Sequence, residues 1–221
     1  MARLAGEDYL ADIYRLEAEG APATTGSVAD RRQVRPAATT SMFKRLARDG
    51  LVTYRVYGGV SLTTEGERLA LSVLRRHRLV EHFLTDVLRL PWEAVDDLAD
   101  QMEHALPDAV VDALEELLGN PFTCPHGYPL PDKHGRLAQP PLRRLADLLP
   151  GEAATVARVD ERVPGLLPYL EEAGMMPGAV LEVLATSPLD ETVTLRIGGR
   201  SRVVGPCGAQ AVSVERPARR T

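Results

Sequence analysis

His77 and Glu81 stand four residues apart in RRHRLVEHFL, so on a helix their side chains share one face. Further along, Asp96, Asp100, Glu103 and His104 fall at i, i+4, i+7 and i+8, again a single helical face. Imidazoles mixed with carboxylates are the donor set of a borderline divalent cation, with Mn2+, Fe2+ and Zn2+ the candidates. The competing reading is two solvated helix faces, because charge at helical spacing is common. A second pair of donors lies in the proline-rich loop NPFTCPHGYP, where Cys124 and His126 are two apart. That spacing lets one loop offer a thiolate and an imidazole to a single ion. An unpaired cysteine is more often plain core, but a loop cysteine beside a histidine fits that reading poorly. His134, in the linker PDKHGRLAQPP, reads as solvated.

Helices must hold these groups. A long helix is expected from Thr64 to about Leu88, carrying His77 and Glu81. Pro91-Trp92 breaks it, and a second helix runs to Ala105 with the 96–104 face on it. A third runs from Pro107 to Leu118. The long helix is apolar on more than one stripe, which implies a partner beyond its own domain, and dimerisation is the simplest one. Nearer the start, EDYLADIYRLEAE places Tyr9, Leu10, Ile13, Tyr14 and Leu16 on a helical stripe with Asp8 beside it. In a first turn that carboxylate would interact favourably with the helix N-terminus.

Gly20-Ala21-Pro22 ends this helix, and a short one begins near Thr25. Pro36 then sits where the first residue of another helix belongs, and Gly50 is a natural stop after PAATTSMFKRLARD. Two short helices across a tight turn make a helix-turn-helix. Thr39, Thr40, Ser41 and Lys44 are expected on the exposed face of the second, within reach of base edges or phosphates. LVTYRVYGGVSLT then alternates as a strand pair about Gly58-Gly59, which completes a winged helix. From Thr24 to Val60 there are seven Arg or Lys against two Asp, a local excess of five positive charges on a chain of net charge −5. Such asymmetry is expected when one module meets phosphate. The DNA-contacting set is Arg35, Pro36, Ala37, Thr39, Thr40, Ser41, Lys44, Tyr57 and Gly58.

From Pro141 the pattern changes to short strand-like runs: ATVARVD, AVLEVLAT, TVTLRIGG, RSRVVG and QAVSVER, with a helix from Leu166 to Ala173 between them. Five short strands in so short a stretch suggest a small SH3-like β-barrel. The fold class is thus mainly α with β: a winged helix-turn-helix over 1–63, a helical metal-binding and dimerisation domain over 64–140, and the barrel over 141–221.

Other classes are disfavoured. Two cysteines in 221 residues argue against a secreted disulfide framework. The N-terminus does not read as a signal peptide, and no apolar run approaches the ~18 residues of a membrane span, so a soluble, cytoplasmic protein without membrane partners is expected. No catalytic motif, glycine-rich phosphate loop or Ser-His-Asp arrangement is present, which argues against an enzyme with a small-molecule substrate.

Together, EDYLADIYRLE, the helix-turn-helix, VYGGVSLTTEG, RRHRLVEHFL, MEH and LLGNPFTCPHGYPLP resemble the diphtheria toxin repressor family of metal-dependent regulators, in particular its manganese-responsive branch. The resemblance covers residues 6 to about 135, and the barrel matches by layout the members with a C-terminal SH3-like (FeoA-like) domain. It implies two metal sites. One is similar to Asp8, His77, Asp100, Glu103 and His104; the other to Glu81, Cys124 and His126 plus a third-domain carboxylate, Asp160 or Glu161. Asp100 stands where relatives commonly have Glu, and Asp96 where iron-responsive ones have a histidine ligand. Asp8 replaces a methionine of those relatives, and a hard carboxylate in place of a thioether favours Mn2+. Gly58 stands where the wing often carries Arg, and Arg35 could take over that phosphate contact.

The expected mechanism is a homodimer on double-stranded operator DNA. Clustered carboxylates repel without metal and let the domains move, and a bound cation fixes the recognition helices at half-site spacing. Mn2+ would then act as co-repressor of metal-uptake genes. Two other readings compete: a winged-helix regulator of a small organic ligand, and a zinc metallohydrolase using His77, Glu81 and His104.

Overall fold

The computed structural model describes residues 4–56, 58–138, 140–160, 163 and 165–217. Helix α1 (Leu4–Ala18) leads into α2 (Thr25–Arg32) and α3 (Pro36–Arg48), and the wing is β1 (Val52–Arg55) antiparallel to β2 (Gly59–Leu62). Local chemistry sets the helix-turn-helix boundaries. Thr24 and Ser27 form a reciprocal capping box at the start of α2. Gln33 ends that helix in the left-handed region, and Pro36 occupies the first turn of α3. The core packs Leu10 and Ile13 of α1 against Val28, Phe43, Leu46, Val52 and Val60.

Helix α4 (Thr64–His82) is shared between two domains. Ala70, Leu71, Val73 and Leu74 belong to the winged-helix core, whereas Val80 packs with Leu84, Val95 and Ala99 further on. Its two apolar sides are therefore covered largely within one chain, and its pattern does not by itself call for a second copy. The α-helix ends at His82 and passes into a π-helical turn, Phe83–Val87, rather than continuing to Leu88. Helix α5 (Val95–Met102) is shorter than expected and closes in a 3-10 turn, Glu103–Ala105. Helix α6 (Asp108–Leu117) completes the helical domain.

Among the described residues, the third domain has six strands in the order β3-β8-β4-β5-β6-β7, all antiparallel. They are β3 (Arg143–Arg144), β4 (Ala153–Val159), β5 (Val180–Ser187), β6 (Thr192–Ile197), β7 (Arg200–Val204) and β8 (Val212–Glu215), with α7 (Leu166–Ala173) after β4. The five strands expected are β4 to β8. The short β3 is additional, and QAVSVER is only partly strand. Its Gln210 and Ala211 close α8 (Pro206–Ala211), a helix started by a proline whose fixed φ suits a first turn. Trp92 of the helical domain is 3% exposed and lies in the core of this third domain, beside side chains such as Leu145, Val159 and Val212. No helix among the described residues is long and apolar enough to cross a membrane.

Candidate metal centre

His77 on α4 is the hub of the first group of donors and is buried. Its Nδ1 lies 2.9 Å from Glu103 Oε2 and 3.2 Å from Asp100 Oδ1. Its Nε2 lies 3.1 Å from Asp96 Oδ1 and 3.6 Å from Glu81 Oε1. The 3-10 turn after α5 sends the neighbours Glu103 and His104 to different partners. Glu103 turns to His77, while His104 Nε2 meets Asp8 Oδ1 of α1 at 2.5 Å and Glu103 Oε1 at 3.3 Å. Glu103 therefore links the His77 group to the α1 group. Ligand atoms of Asp8, Glu103 and His104 lie within 4.8 Å of one another, as do those of His77, Asp100 and Glu103, and of His77, Glu81 and Asp96.

The second group is Glu81, Cys124 and His126, whose donor atoms also fall within 4.8 Å of one another. All three are buried. His126 donates from Nδ1 to Glu81 at 2.9 Å and from Nε2 to the Trp92 carbonyl at 3.0 Å, with its ring stacked on Trp92. A tight loop presents the two loop donors, closed by bonds between Cys124 N and Tyr128 O and between Gly127 N and Cys124 O, both 2.9 Å. Gly127 has φ +85°, and a Cβ there would collide with the Ala157 carbonyl of β4. Val159 N donates to His126 O at 3.0 Å, and the Tyr128 ring lies between the guanidinium groups of Arg78 and Arg158. The loop is thus held between α4 and β4. Asp160 follows β4 directly and bonds through its N–H to Ala211 O, but its carboxylate is not among the grouped donors. Glu161 lies outside the described residues.

The buried histidine of each group is held toward its charged form. Burial opposes the charge of His77, yet the Glu81 carboxylate and bonds to Asp100, Asp96 and Glu103 hold its pKa well above the ordinary value. Burial likewise opposes His126, and bonds to Cys124 and Glu81 nevertheless lift it to about 11. Burial alone would raise Glu81, but the charge of His77 and the bond from His126 pull it below the usual carboxylate range. Burial and the Glu81 charge push the Cys124 thiol up. Burial and the nearby Asp100 raise Glu103 against the bond from His77. Charged imidazoles thus face carboxylates within the donor groups that could hold a divalent cation. Buried ionisable groups gathered this closely, with nitrogen, oxygen and sulfur donors, suit a borderline metal that displaces their protons.

Most of the described residues expected at a DNA face reach solvent. Arg35, Pro36, Ala37, Ser41, Lys44 and Gly58 are exposed, and Thr40 is half-buried. Thr39 is a correction: it is fully buried, on the same α3 stripe as Phe43 and Leu46. Tyr57 lies outside the described residues. Asp8 is also not in a first turn, since α1 begins at Leu4. Two residues escaped the sequence reading. Asp12 is 4% exposed, and Arg32 at the end of α2 reaches both Asp8 Oδ2, at 2.8 Å, and Asp12 Oδ2, at 3.0 Å. The i, i+4 spacing of Asp8 and Asp12 was the available signal.

Residues 5–60 match the iron dependent repressor N-terminal DNA binding domain, and residues 63–132 its metal binding and dimerisation domain. Residues 143–216 match the FeoA domain. The iron-dependent repressor IdeR of Mycobacterium tuberculosis is 36% identical over 223 residues, covering 95% of this chain and 96% of that protein. The chain belongs to the diphtheria toxin repressor family. The diphtheria toxin repressor of Corynebacterium jeikeium is 32% identical over 203 residues, 81% of this chain and 85% of that one. A solved manganese-dependent transcriptional repressor in complex with manganese is 33% identical with a TM-score of 0.88, covering 95% of this chain and 98% of that one. The chain is therefore a metal-dependent transcriptional repressor of this family, with a winged helix, a helical dimerisation domain and an SH3-like FeoA domain. The organic-ligand regulator and the zinc hydrolase lose their footing, since the relatives are metal-dependent repressors.

Proposed function

We propose that this repressor answers to Mn2+ and that Asp8, Glu103 and His104 hold the ion, with His77 and Asp100 completing the centre. One observation carries the reading: the His104–Asp8 contact joins α1 of the DNA-binding domain to the turn after α5, and Glu103 continues it to His77. Three carboxylates against two imidazoles make this donor set oxygen-rich, which favours Mn2+ over softer ions. A cation there would cancel the repulsion among these carboxylates and tie α1 to the helical domain. His77 gives up its proton in exchange, so affinity for the ion rises with pH. Glu81, Cys124 and His126 form a second, softer centre, with Asp160 or Glu161 as a further donor. Asp96, 3.1 Å from His77, lies between the two and can serve either.

With α1 fixed, the two recognition helices of a homodimer match half-sites about one helical turn apart. Arg35, Thr40, Ser41 and Lys44 then meet the operator, with Gly58 at the wing tip. Within the helical domain Val87, Leu88, Val110 and Leu117 remain exposed for the second copy. The operator lies upstream of metal-uptake genes, and the protein works in the cytoplasm. The test is DNA affinity titrated with Mn2+, Fe2+ and Zn2+ at fixed salt, since phosphate contacts make affinity steeply salt-dependent. Wild type should tighten on metal and His104→Ala should not, with the ranking of ions naming the effector. Equal binding by both proteins, with or without metal, would sink the reading.

A further inference from the structure

We propose that Arg32 is a positioning residue of the Asp8 centre and links that centre to the helix-turn-helix. The inference rests on the reading that Asp8, Glu103 and His104 hold the cation. Asp8 is engaged at both oxygens. Oδ1 faces His104 at 2.5 Å, on the side of the other donors, and Oδ2 accepts from Arg32 at 2.8 Å. The second nitrogen of Arg32 goes to Asp12, one turn along α1, at 3.0 Å. A planar guanidinium can grip two carboxylates in this way, and a carboxylate held at one oxygen presents the other in a fixed direction. On its far side Arg32 shares Asp12 with two other guanidinium groups. Asp12 is buried and also contacts Arg31 at 3.3 Å and Arg15 at 3.5 Å. Because Arg32 grips Oδ2 and leaves Oδ1 to the other donors, it acts as an orienting partner of Asp8.

Its place in the chain gives the link. Arg32 is the last residue of α2, and only Gln33, Val34 and Arg35 separate it from the start of α3. The Asp8–Arg32–Asp12 bridge thus pins α1 to the end of α2, next to the turn that sets the recognition helix. The guanidinium also lies 4.9 Å from the centre of the Tyr9 ring, which holds it on the α1 side. Partners that orient ligating carboxylates typically matter about 10–100-fold in metal affinity.

The experiment measures Mn2+ affinity by the electron paramagnetic resonance signal of the free ion, on the full chain without DNA, for wild type, Arg32→Gln, Arg32→Lys and Asp8→Asn. Arg32→Gln should bind the ion at the Asp8 centre about 10–100-fold more weakly. Arg32→Lys should recover only part, because an ammonium cannot grip both carboxylates at once. The factor by which Mn2+ tightens operator binding should fall about 2- to 30-fold in Arg32→Gln, and reciprocity requires DNA to lose the same hold on the ion. The Cys124 centre, followed by the sulfur-to-cobalt absorption with Co2+, should be unchanged and shows that the variant is folded. Mn2+ affinity in Arg32→Gln equal to or above wild type overturns the proposal, whether or not DNA binding or the melting temperature drops. If Asp8→Asn also binds Mn2+ normally, the reading of the centre falls and the proposal with it.

Discussion

The two donor groups of this chain use similar chemistry in opposite settings. In the first, Asp8 and His104 keep 24% and 19% of their side chains exposed, and Asp100 keeps 65%. Its members come from α1, α4, α5 and the turn after it, across the boundary between two domains. In the second, Glu81 and His126 are sealed at 3% and 0%, against a loop wedged under β4. The first group reaches solvent through Asp8, His104 and Asp100 around the buried His77 and Glu103, and on the proposed reading a cation there would tie two domains together. The sealed group is part of the packing: its histidine stacks on Trp92, which is itself built into the third domain. On the proposed reading, the first is placed to sense and the second to hold the molecule together.

Removing a charge should separate them most sharply. Glu81 accepts from His126 and also faces His77, so Glu81→Ala takes the carboxylate partner from the buried His126, whereas His77 keeps Asp96, Asp100 and Glu103. Breaking a buried pair by deleting one partner costs about 3–5 kcal/mol. Urea unfolding of the metal-free protein should show a loss of that size, and a loss below about 1 kcal/mol would mean that the sealed group is not structural.

The next effect in size is a slope with pH. His126 is lifted to about 11 in the folded protein, above its unfolded value near 6.5. The stability from its pair with Glu81 is therefore fully present below the unfolded value and is lost as pH rises through the folded one. The gap in unfolding midpoint between metal-free wild type and His126→Gln should be wide at about pH 6 and narrow by about pH 10. Metal affinity at the same centre should run the other way, because Cys124 and His126 must both shed protons. A gap independent of pH would break the assignment of a charged His126.

The sequence exposed the donors well and their geometry less so. Spacing by fours placed His77 with Glu81, and the Cys124–His126 pair stood out because a loop cysteine is rarely core. The winged helix followed from punctuation: Pro36, Gly50 and the glycine pair of the wing. Thr39 was misplaced because its hydroxyl suggested a DNA face, while its spacing to Phe43 and Leu46 marked the core. The 3-10 turn at Glu103 was hidden because one period was assumed to run through the whole helix, and that turn is what splits Glu103 from His104. Trp92 in a distant core, Gly127 against Ala157, and Arg32 on Asp8 are contacts between residues far apart in sequence. No local pattern carries them.

The smallest effect on stability should come from Asp8, and its smallness is informative. Its partners Arg32 and His104 are partly exposed, so the pairs are screened by water. Arg32 also retains Asp12 when Asp8 is gone. Partly exposed pairs of this kind contribute about 0–1 kcal/mol, so Asp8→Ala should unfold within that margin of wild type without metal. The winged-helix core should hold regardless, because Leu71 and Leu74 of α4 are packed into it. Asp8→Ala should therefore leave the fold in place while removing the metal-dependent gain in operator affinity. A stability loss comparable to that of Glu81→Ala would erase the distinction between a sensing centre and a structural one.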